Sequence, residues 1–166
     1  MSFANTPELA FAEELRRLTR AWQTPPEDLR IEPPKYGQPM IAWLDICDAD
    51  EDRALLTIGV HVTPGTLKGD KLHNQLFLLP DRPTDLAVTC SGPPELLAAV
   101  TDQWLGAILS RPFVRHEWGA PPDVESRTVV ADTSEALCQT RDCPPQGTTP
   151  ERTVDRRQNP LLERPD

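Results

Sequence analysis

The fold class is decided by residues 91–118, which read SGPPELLAAVTDQWLGAILSRPFVRHEW. After a Ser-Gly turn, apolar residues recur at helical spacing from Leu97 to Ile108, which predicts an amphipathic helix. Arg111-Pro112 should end this helix, because proline lacks the backbone donor that a helix interior needs. Residues 113–118 are rich in β-branched and aromatic side chains and predict a strand. A helix flanked by strands indicates an α+β protein.

The residues on either side of this stretch predict one further helix and more strands. A helix begins near Thr6 and places Phe11, Leu15, Leu18 and Trp22 on one face. Residues 64–70 have the glycines and lysines of a connecting loop. Because most connections are of hairpin length, we expect an α+β fold with a mainly antiparallel sheet of about six or seven strands and two principal helices on one face. The other predicted strands cover residues 29–31, 40–47, 56–62, 76–79, 86–90 and 128–131.

The composition changes towards the end of the chain. No Phe, Trp or Tyr follows Trp118, and from Gln139 onward the residues are mainly Pro, Gly, Thr, Arg and acidic residues. Such a segment buries too little apolar surface to offset the entropy lost on ordering. We therefore predict a single α+β domain over residues 1–138 and a flexible, disordered tail over residues 139–166.

The charge of the chain limits its partners and its location. There are 17 basic and 26 acidic residues, which give a formal net charge of -9. An acidic surface repels phosphates, so nucleic acids and anionic membranes are not expected partners. The N-terminal residues carry charges instead of the apolar core of a secretory signal, and no apolar run is long enough to span a membrane. We expect a cytoplasmic protein, and the sequence leaves its oligomeric state open.

Three segments partly match metal or phosphate motifs. Residues 48–59 begin like a calcium loop, but Arg53 and Gly59 occupy the positions that need glycine and a bidentate glutamate. Residues 65–71 lack the glycine spacing and the Ser/Thr of a phosphate loop. Cys138 and Cys143 have no second pair of ligands at zinc-site spacing. No metal and no cofactor are therefore predicted.

A catalytic interpretation rests on Cys90, which ends a predicted strand shortly before a helix. A thiol at a helix N-terminus can be acidified, and His116 or His61 could act as its base. Alternation instead places Cys90 on the face of its strand that carries apolar residues, and His116 fits a half-buried structural histidine. We predict no catalytic residue, and keep a small-molecule enzyme or ligand binder using Cys90 with His116 or His61 as the alternative.

Three residues form the predicted interaction surface. Trp43 and Trp118 are candidates for exposed anchors, because tryptophan is enriched at protein interfaces. His61 lies on the strand face opposite the apolar residues and could share a surface with Trp43. The sequence therefore favours a non-enzymatic module that binds a protein partner in a chaperone-like, adaptor or immunity-type role, and a structural component of a larger particle is a further alternative.

The second half of the chain resembles a group of small actinobacterial α+β proteins to which no activity is assigned. The resemblance rests on the helix with Trp104, the strand beginning Arg111-Pro112 and ending Glu117-Trp118, and the later segment Val129-Val130-Ala131-Asp132-Thr133. In that group a helix is followed by an Arg-Pro-x-x-Arg-x-Glu-Trp strand. The likeness covers about a third of the chain and implies a shared fold without implying a catalytic residue.

Overall fold

The computed structural model describes residues 6–22, 29–35, 37–48, 53–73, 77–120, 122–132, 136–139 and 141–155. Within these residues the protein has the α+β fold that the sequence predicts, with antiparallel sheets and two helices. Residues 49–52 of the acidic turn lie outside the described residues. The elements in chain order are α1 (Thr6–Arg20), β1 (Arg30–Glu32), β2 (Met40–Asp48), β3 (Arg53–Thr63), β4 (Thr66–Lys71), β5 (Val88–Ser91), α2 (Pro94–Leu109), β6 (Phe113–Trp118), β7 (Glu125–Val130), β8 (Ala136–Gln139) and β9 (Arg152–Asp155).

The strands form two sheets, and the chain divides into two compact units. One sheet has the order β1-β2-β3-β4-β5 and the other has the order β8-β7-β6-β9. Among the described residues, the first unit comprises those up to Asp45 together with Thr57–Leu109, and the second comprises Ile46–Leu56 and those from Ser110 onward. The sequence predicted one domain over residues 1–138. That prediction is not tested by this division, because β2 and β3 of the five-stranded sheet contribute residues to both units.

The core of the first unit lies between the two helices and one face of the five-stranded sheet. Alternation along β2 turns Met40 and Ala42 towards this core, as the sequence predicts. The Trp22 Nε1–H donates to the Asp102 carboxylate at 2.7 Å, so the residues that follow α1 are tied to α2. The core cluster contains Phe11, Leu15, Met40, Ala42, Val60, Val62, Leu67, Leu97 and Ala98.

The segment predicted as the loop 64–70 is mostly strand β4. Pro64 and Gly65 make the turn between β3 and β4, and Gly65 adopts the left-handed φ of 78° that such a turn requires. Gly69 lies between Val60 and Val88 in the sheet. A Cβ at position 69 would lie only 2.6 Å from the Val60 side chain, so close packing requires a glycine there. The same glycines that suggested a loop are therefore needed to build this hairpin.

The strand predicted over residues 76–79 is wrong over its described part. Phe77 has a φ of 53°, and Leu78 makes only an isolated bridge with His73. Leu76 lies outside the described residues. The side chain of Phe77 packs on the Trp43 ring. This contact explains why the segment is apolar although it does not form a strand.

The second unit includes a strand from the predicted tail, because β9 pairs with β6. Two buried side chains hold the intervening segment. The Trp118 Nε1–H donates to the Thr149 carbonyl at 2.9 Å, and the Arg127 guanidinium donates to the Pro144 carbonyl. Polar contacts thus order a segment that has little apolar surface of its own. Strand β9 thus lies beyond the predicted boundary at residue 139, the division into a domain and a tail stays a prediction, and residues 156–166 lie outside the described residues.

We predict that a chain ending after residue 139 is less stable than one ending after residue 156. The shorter chain lacks the Thr149 carbonyl that Trp118 uses, whereas the buried Glu117 loses Arg152 at 3.0 Å but keeps Arg115 at 2.7 Å. A buried polar group that loses its partner costs about 1–3 kcal/mol, so the loss from Trp118 should be about 1–3 kcal/mol. Chemical denaturation of both chains measures this difference. Equal free energies of unfolding would contradict the structural role of residues 141–155.

Candidate functional site

The second face of the five-stranded sheet carries two of the three residues of the predicted interaction surface. Trp43 and His61 point away from the core, because their neighbours Ala42, Val60 and Val62 point into it. The Phe77 ring lies 4.5 Å from the Trp43 ring, and the His61 Nε2–H donates to the Phe77 carbonyl at 2.9 Å. Both predicted residues are therefore engaged by their own chain.

The segment that follows β4 is also fixed to this face through Asp70. This carboxylate is only 3% exposed. It accepts hydrogen bonds from the Lys71 amide at 2.7 Å, from the Thr84 amide at 2.8 Å and from the Thr84 hydroxyl. Satisfied buried carboxylates of this kind hold segments in place. Phe77 and Thr84 therefore cover part of the second face of the sheet.

Trp118, the third predicted residue, belongs to the second unit and is 7% exposed. The Arg127 guanidinium carbon lies 5.7 Å from the centre of the Trp118 ring, which is within the range of a cation–π contact. With its Nε1–H bonded to Thr149, this side chain is an internal anchor of its unit. It does not offer the exposed ring that a partner would bind.

The register of the first sheet separates Cys90 from His61. Cys90 pairs with Leu67, and both pack with the core. His61 pairs with Lys68, which in turn pairs with Thr89, so these three residues share the opposite face. A thiol and an imidazole on opposite faces of a sheet cannot exchange a proton directly, so this half of the catalytic alternative has no geometric support.

His116 lies on β6 in the second unit. Its ring meets the ring of Trp118 edge-on, with 6.2 Å between the ring centres and an angle of 88° between the planes. This environment fits the half-buried structural histidine expected from the sequence. Cys90, in the first unit, packs against the apolar core instead.

A cleft that the sequence did not predict lies at one end of the five-stranded sheet. It has a volume of about 390 Å³ and is open to solvent. The connection between β1 and β2 forms one side, where the Gln38 amide donates to the Lys35 carbonyl at 2.9 Å. The end of β3 and the first turn of α1 form the rest. The lining residues are Glu8, Pro34, Lys35, Gly37, Gln38, Pro39, Val62, Thr63 and Pro64.

Glu8 is the acidic residue of this cleft and is only 9% exposed. No residue in the described part of the chain donates a hydrogen bond to its carboxylate or forms an ion pair with it. A helix N-terminus contributes only about 0.3–1 kcal/mol to a carboxylate in the first turn. Glu8 is therefore an anionic residue that packs closely against the fold, borders an open cleft and has no partner among the described residues.

Phe11 explains why Glu8 is held in the cleft. Phe11 lies one turn after Glu8 on α1 and is fully buried in the core. Its packing fixes the first turn of α1 beside the turn between β3 and β4. A second, much smaller void of about 10 Å³ lies there, lined by residues that include Glu8, Gly65 and Pro94. That void has room for about one water molecule, so only the larger cleft can admit a side chain.

The sequence contained a partial signal for this cleft. Pro34 and Pro64 each follow a predicted strand, and Pro39 precedes one. From the sequence, each proline indicated only where a strand begins or ends. Antiparallel pairing brings the start of β2 and the end of β3 to the same end of the sheet, where these prolines meet. Glu8 fitted the ordinary preference for acids in a first helical turn, so its burial could not be foreseen.

The described residues contain no group of three or more His, Cys, Asp or Glu side chains that could hold a metal ion. Over the same residues, no helix has the length and the apolar character required to span a membrane. In comparisons with known proteins, no family model, no curated protein and no solved structure matches the chain. The resemblance to small actinobacterial proteins thus stays a prediction.

Two tryptophans provide a matched pair for a stability prediction. Trp22 donates to the buried Asp102, whereas the buried Trp43 Nε1–H has no acceptor among the described residues. Trp22→Phe should lower the free energy of unfolding by about 1–3 kcal/mol more than Trp43→Phe, because only the first change removes a hydrogen bond to a buried carboxylate. Denaturant titration of the two variants measures this difference. Equal losses would show that the Asp102 bond contributes nothing beyond ring packing.

Proposed function

We propose that the chain is a non-enzymatic protein-binding module whose proline-lined cleft receives a segment of a partner polypeptide. The observation that supports this proposal is the cleft itself, an open concave surface of about 390 Å³ that contains a nearly buried carboxylate. Concave surfaces with a few placed polar groups are the usual sites of ligand and peptide recognition. A chaperone-like, adaptor or immunity-type role would fit such a module.

The prolines favour binding because they make the cleft rigid. Each proline ring fixes its own backbone φ angle and presents apolar carbon atoms without a backbone donor. The Lys35–Gln38 hydrogen bonds hold Pro34 and Pro39 on either side of a tight turn. A binding surface that is already ordered loses less entropy when a partner binds, so more of the contact energy contributes to affinity.

The charge of the chain indicates the kind of partner. A formal net charge of -9 favours association with basic polypeptides and disfavours nucleic acids and anionic membranes. A cytoplasmic location is part of this proposal and rests on composition. The second candidate function is the binding of a small molecule, since a cleft of this volume falls within the range of small-molecule pockets, about 300–1,000 Å³.

A photo-crosslinking residue in place of the exposed Thr63 tests the proposal. We expect this chain to form a discrete adduct with a partner polypeptide in a native lysate, and we expect the added Gln38→Trp substitution to abolish the adduct by filling the cleft. The matched control is Gln103→Trp, at an exposed position of α2 that is not among the residues lining the cleft. Mass spectrometry of the adducts provides the measurement.

An adduct that survives Gln38→Trp would contradict a role of the cleft in partner binding. A small molecule that co-purifies with the unmodified chain and is released by Gln38→Trp would favour the second candidate instead.

A further inference from the structure

We infer that the cleft selects a cationic side chain, lysine or arginine, of the partner polypeptide, with the Glu8 carboxylate as its counter-ion. This inference rests on the proposed function and specifies the chemistry of the group that is recognised. It depends on two independent observations, namely the concave surface and the nearly buried carboxylate that no described residue pairs with.

The Glu8 carboxylate lines the cleft without a partner among the described residues. Glu8 is 9% exposed and borders a cleft that is open to solvent, and the described residues provide neither a hydrogen-bond donor nor an ion-pair partner to its carboxylate. The positive end of α1 contributes only about 0.3–1 kcal/mol to a carboxylate in the first turn. An incoming cation would add a charge-assisted hydrogen bond that the described residues do not make. The cleft therefore presents an anionic group to which a positive charge is complementary.

The walls of the cleft favour a cation on an aliphatic stem. Val62 and the rings of Pro34, Pro39 and Pro64 provide apolar carbon in the same cleft as Glu8. Lysine and arginine side chains pack their methylene groups on apolar surfaces while the charged end reaches a polar group. An uncharged aliphatic side chain would satisfy these walls but would leave Glu8 unpaired. The methylene stem of a basic side chain thus matches the apolar walls, and its charged end matches the Glu8 carboxylate.

A metal ion fits this cleft less well than an organic cation. Calcium takes six to eight oxygen ligands, and magnesium requires an octahedral shell. Among the described residues that line the cleft, Glu8 is the single carboxylate. An ammonium or guanidinium group needs only one carboxylate and an apolar enclosure for its stem.

Lys35 provides an internal test of charge recognition. It lines the same cleft and is exposed, so its positive charge opposes the entry of a cation. Neutralising Lys35 should strengthen the binding of a basic group, whereas neutralising Glu8 should weaken it. If the cleft recognised shape alone, the two substitutions would not change the affinity for a basic group in opposite directions.

The test is a titration with short peptides, followed through the backbone amide signals of Gly37 and Gly65 in ¹⁵N-correlated NMR spectra. The probes are acetyl-Gly-Lys-Gly-amide, acetyl-Gly-Arg-Gly-amide and the norleucine peptide, which has an aliphatic stem without charge. We expect both basic peptides to bind the unaltered chain about tenfold more tightly than the norleucine peptide, as a charge-assisted hydrogen bond provides. This comparison requires no variant to fold.

Two variants then test which residue of the cleft recognises the charge of the peptide. Glu8→Gln should weaken the lysine peptide about tenfold, and Lys35→Gln should strengthen it about twofold. The matched control is Glu13→Gln, at an exposed position of the same helix, which should leave the affinity unchanged. The amide spectra of the free variants show whether each keeps the native fold.

Equal affinity of the lysine and norleucine peptides would overturn the inference, as would a Glu8→Gln chain that folds and binds the lysine peptide normally. n-Butylammonium, which has the stem and charge of lysine, should compete with the lysine peptide, and a failure to compete would overturn recognition of the side chain. If the Thr63 adduct depends on an open cleft while the lysine and norleucine peptides bind equally, the charge inference fails and the proposed function stands. If charge-dependent peptide binding occurs but Gln38→Trp leaves every adduct intact, the proposed function fails instead.

Discussion

The burial of Phe11 and Leu15 against the sheet is the constraint on which the first unit depends. These side chains hold α1 across the strands that contribute Met40 and Val62 to the core. Because Glu8 precedes Phe11 by one turn, the same packing places a carboxylate beside the ends of the strands. The apolar core therefore determines the position of the polar group that we propose to be functional. A weaker core would let the first turn of α1, and Glu8 with it, move relative to the ends of the strands.

An amphipathic pattern predicts that one face of the five-stranded sheet is buried and the other is exposed, but both faces are at least partly covered. One face packs on the helices, and Phe77 and the segment near Thr84 cover part of the other. The aromatic and imidazole groups that suggested a binding surface therefore contribute to folding. The residues suggested for recognition lie instead at the end of the sheet. Connections at the ends of rigid strands are common places for function, because they can vary without disturbing the core.

The sequence predicts the parts of this protein that depend on local periodicity. Both helices, the strand of residues 113–118 and the core positions along β2 and β3 follow from the spacing of apolar residues. It fails where a distant contact decides the structure. Gly69 suits a strand only because Val60 and Val88 lie beside it, and residues 141–155 are ordered by Arg127 and Trp118. The burial of Glu8 depends on three separate segments that meet, so no local pattern could reveal it.

The central claim, that Glu8 in the lining of the cleft is a binding group, is tested most directly by locating a bound basic side chain. Intermolecular nuclear Overhauser effects between the ε-methylene protons of a lysine peptide and the chain provide that location. The account predicts contacts with the Val62 methyl groups and with the ring protons of Pro34 and Pro64, which line the cleft together with Glu8. Contacts with Trp43 and His61 on the second face of the sheet, in place of those cleft residues, would contradict it.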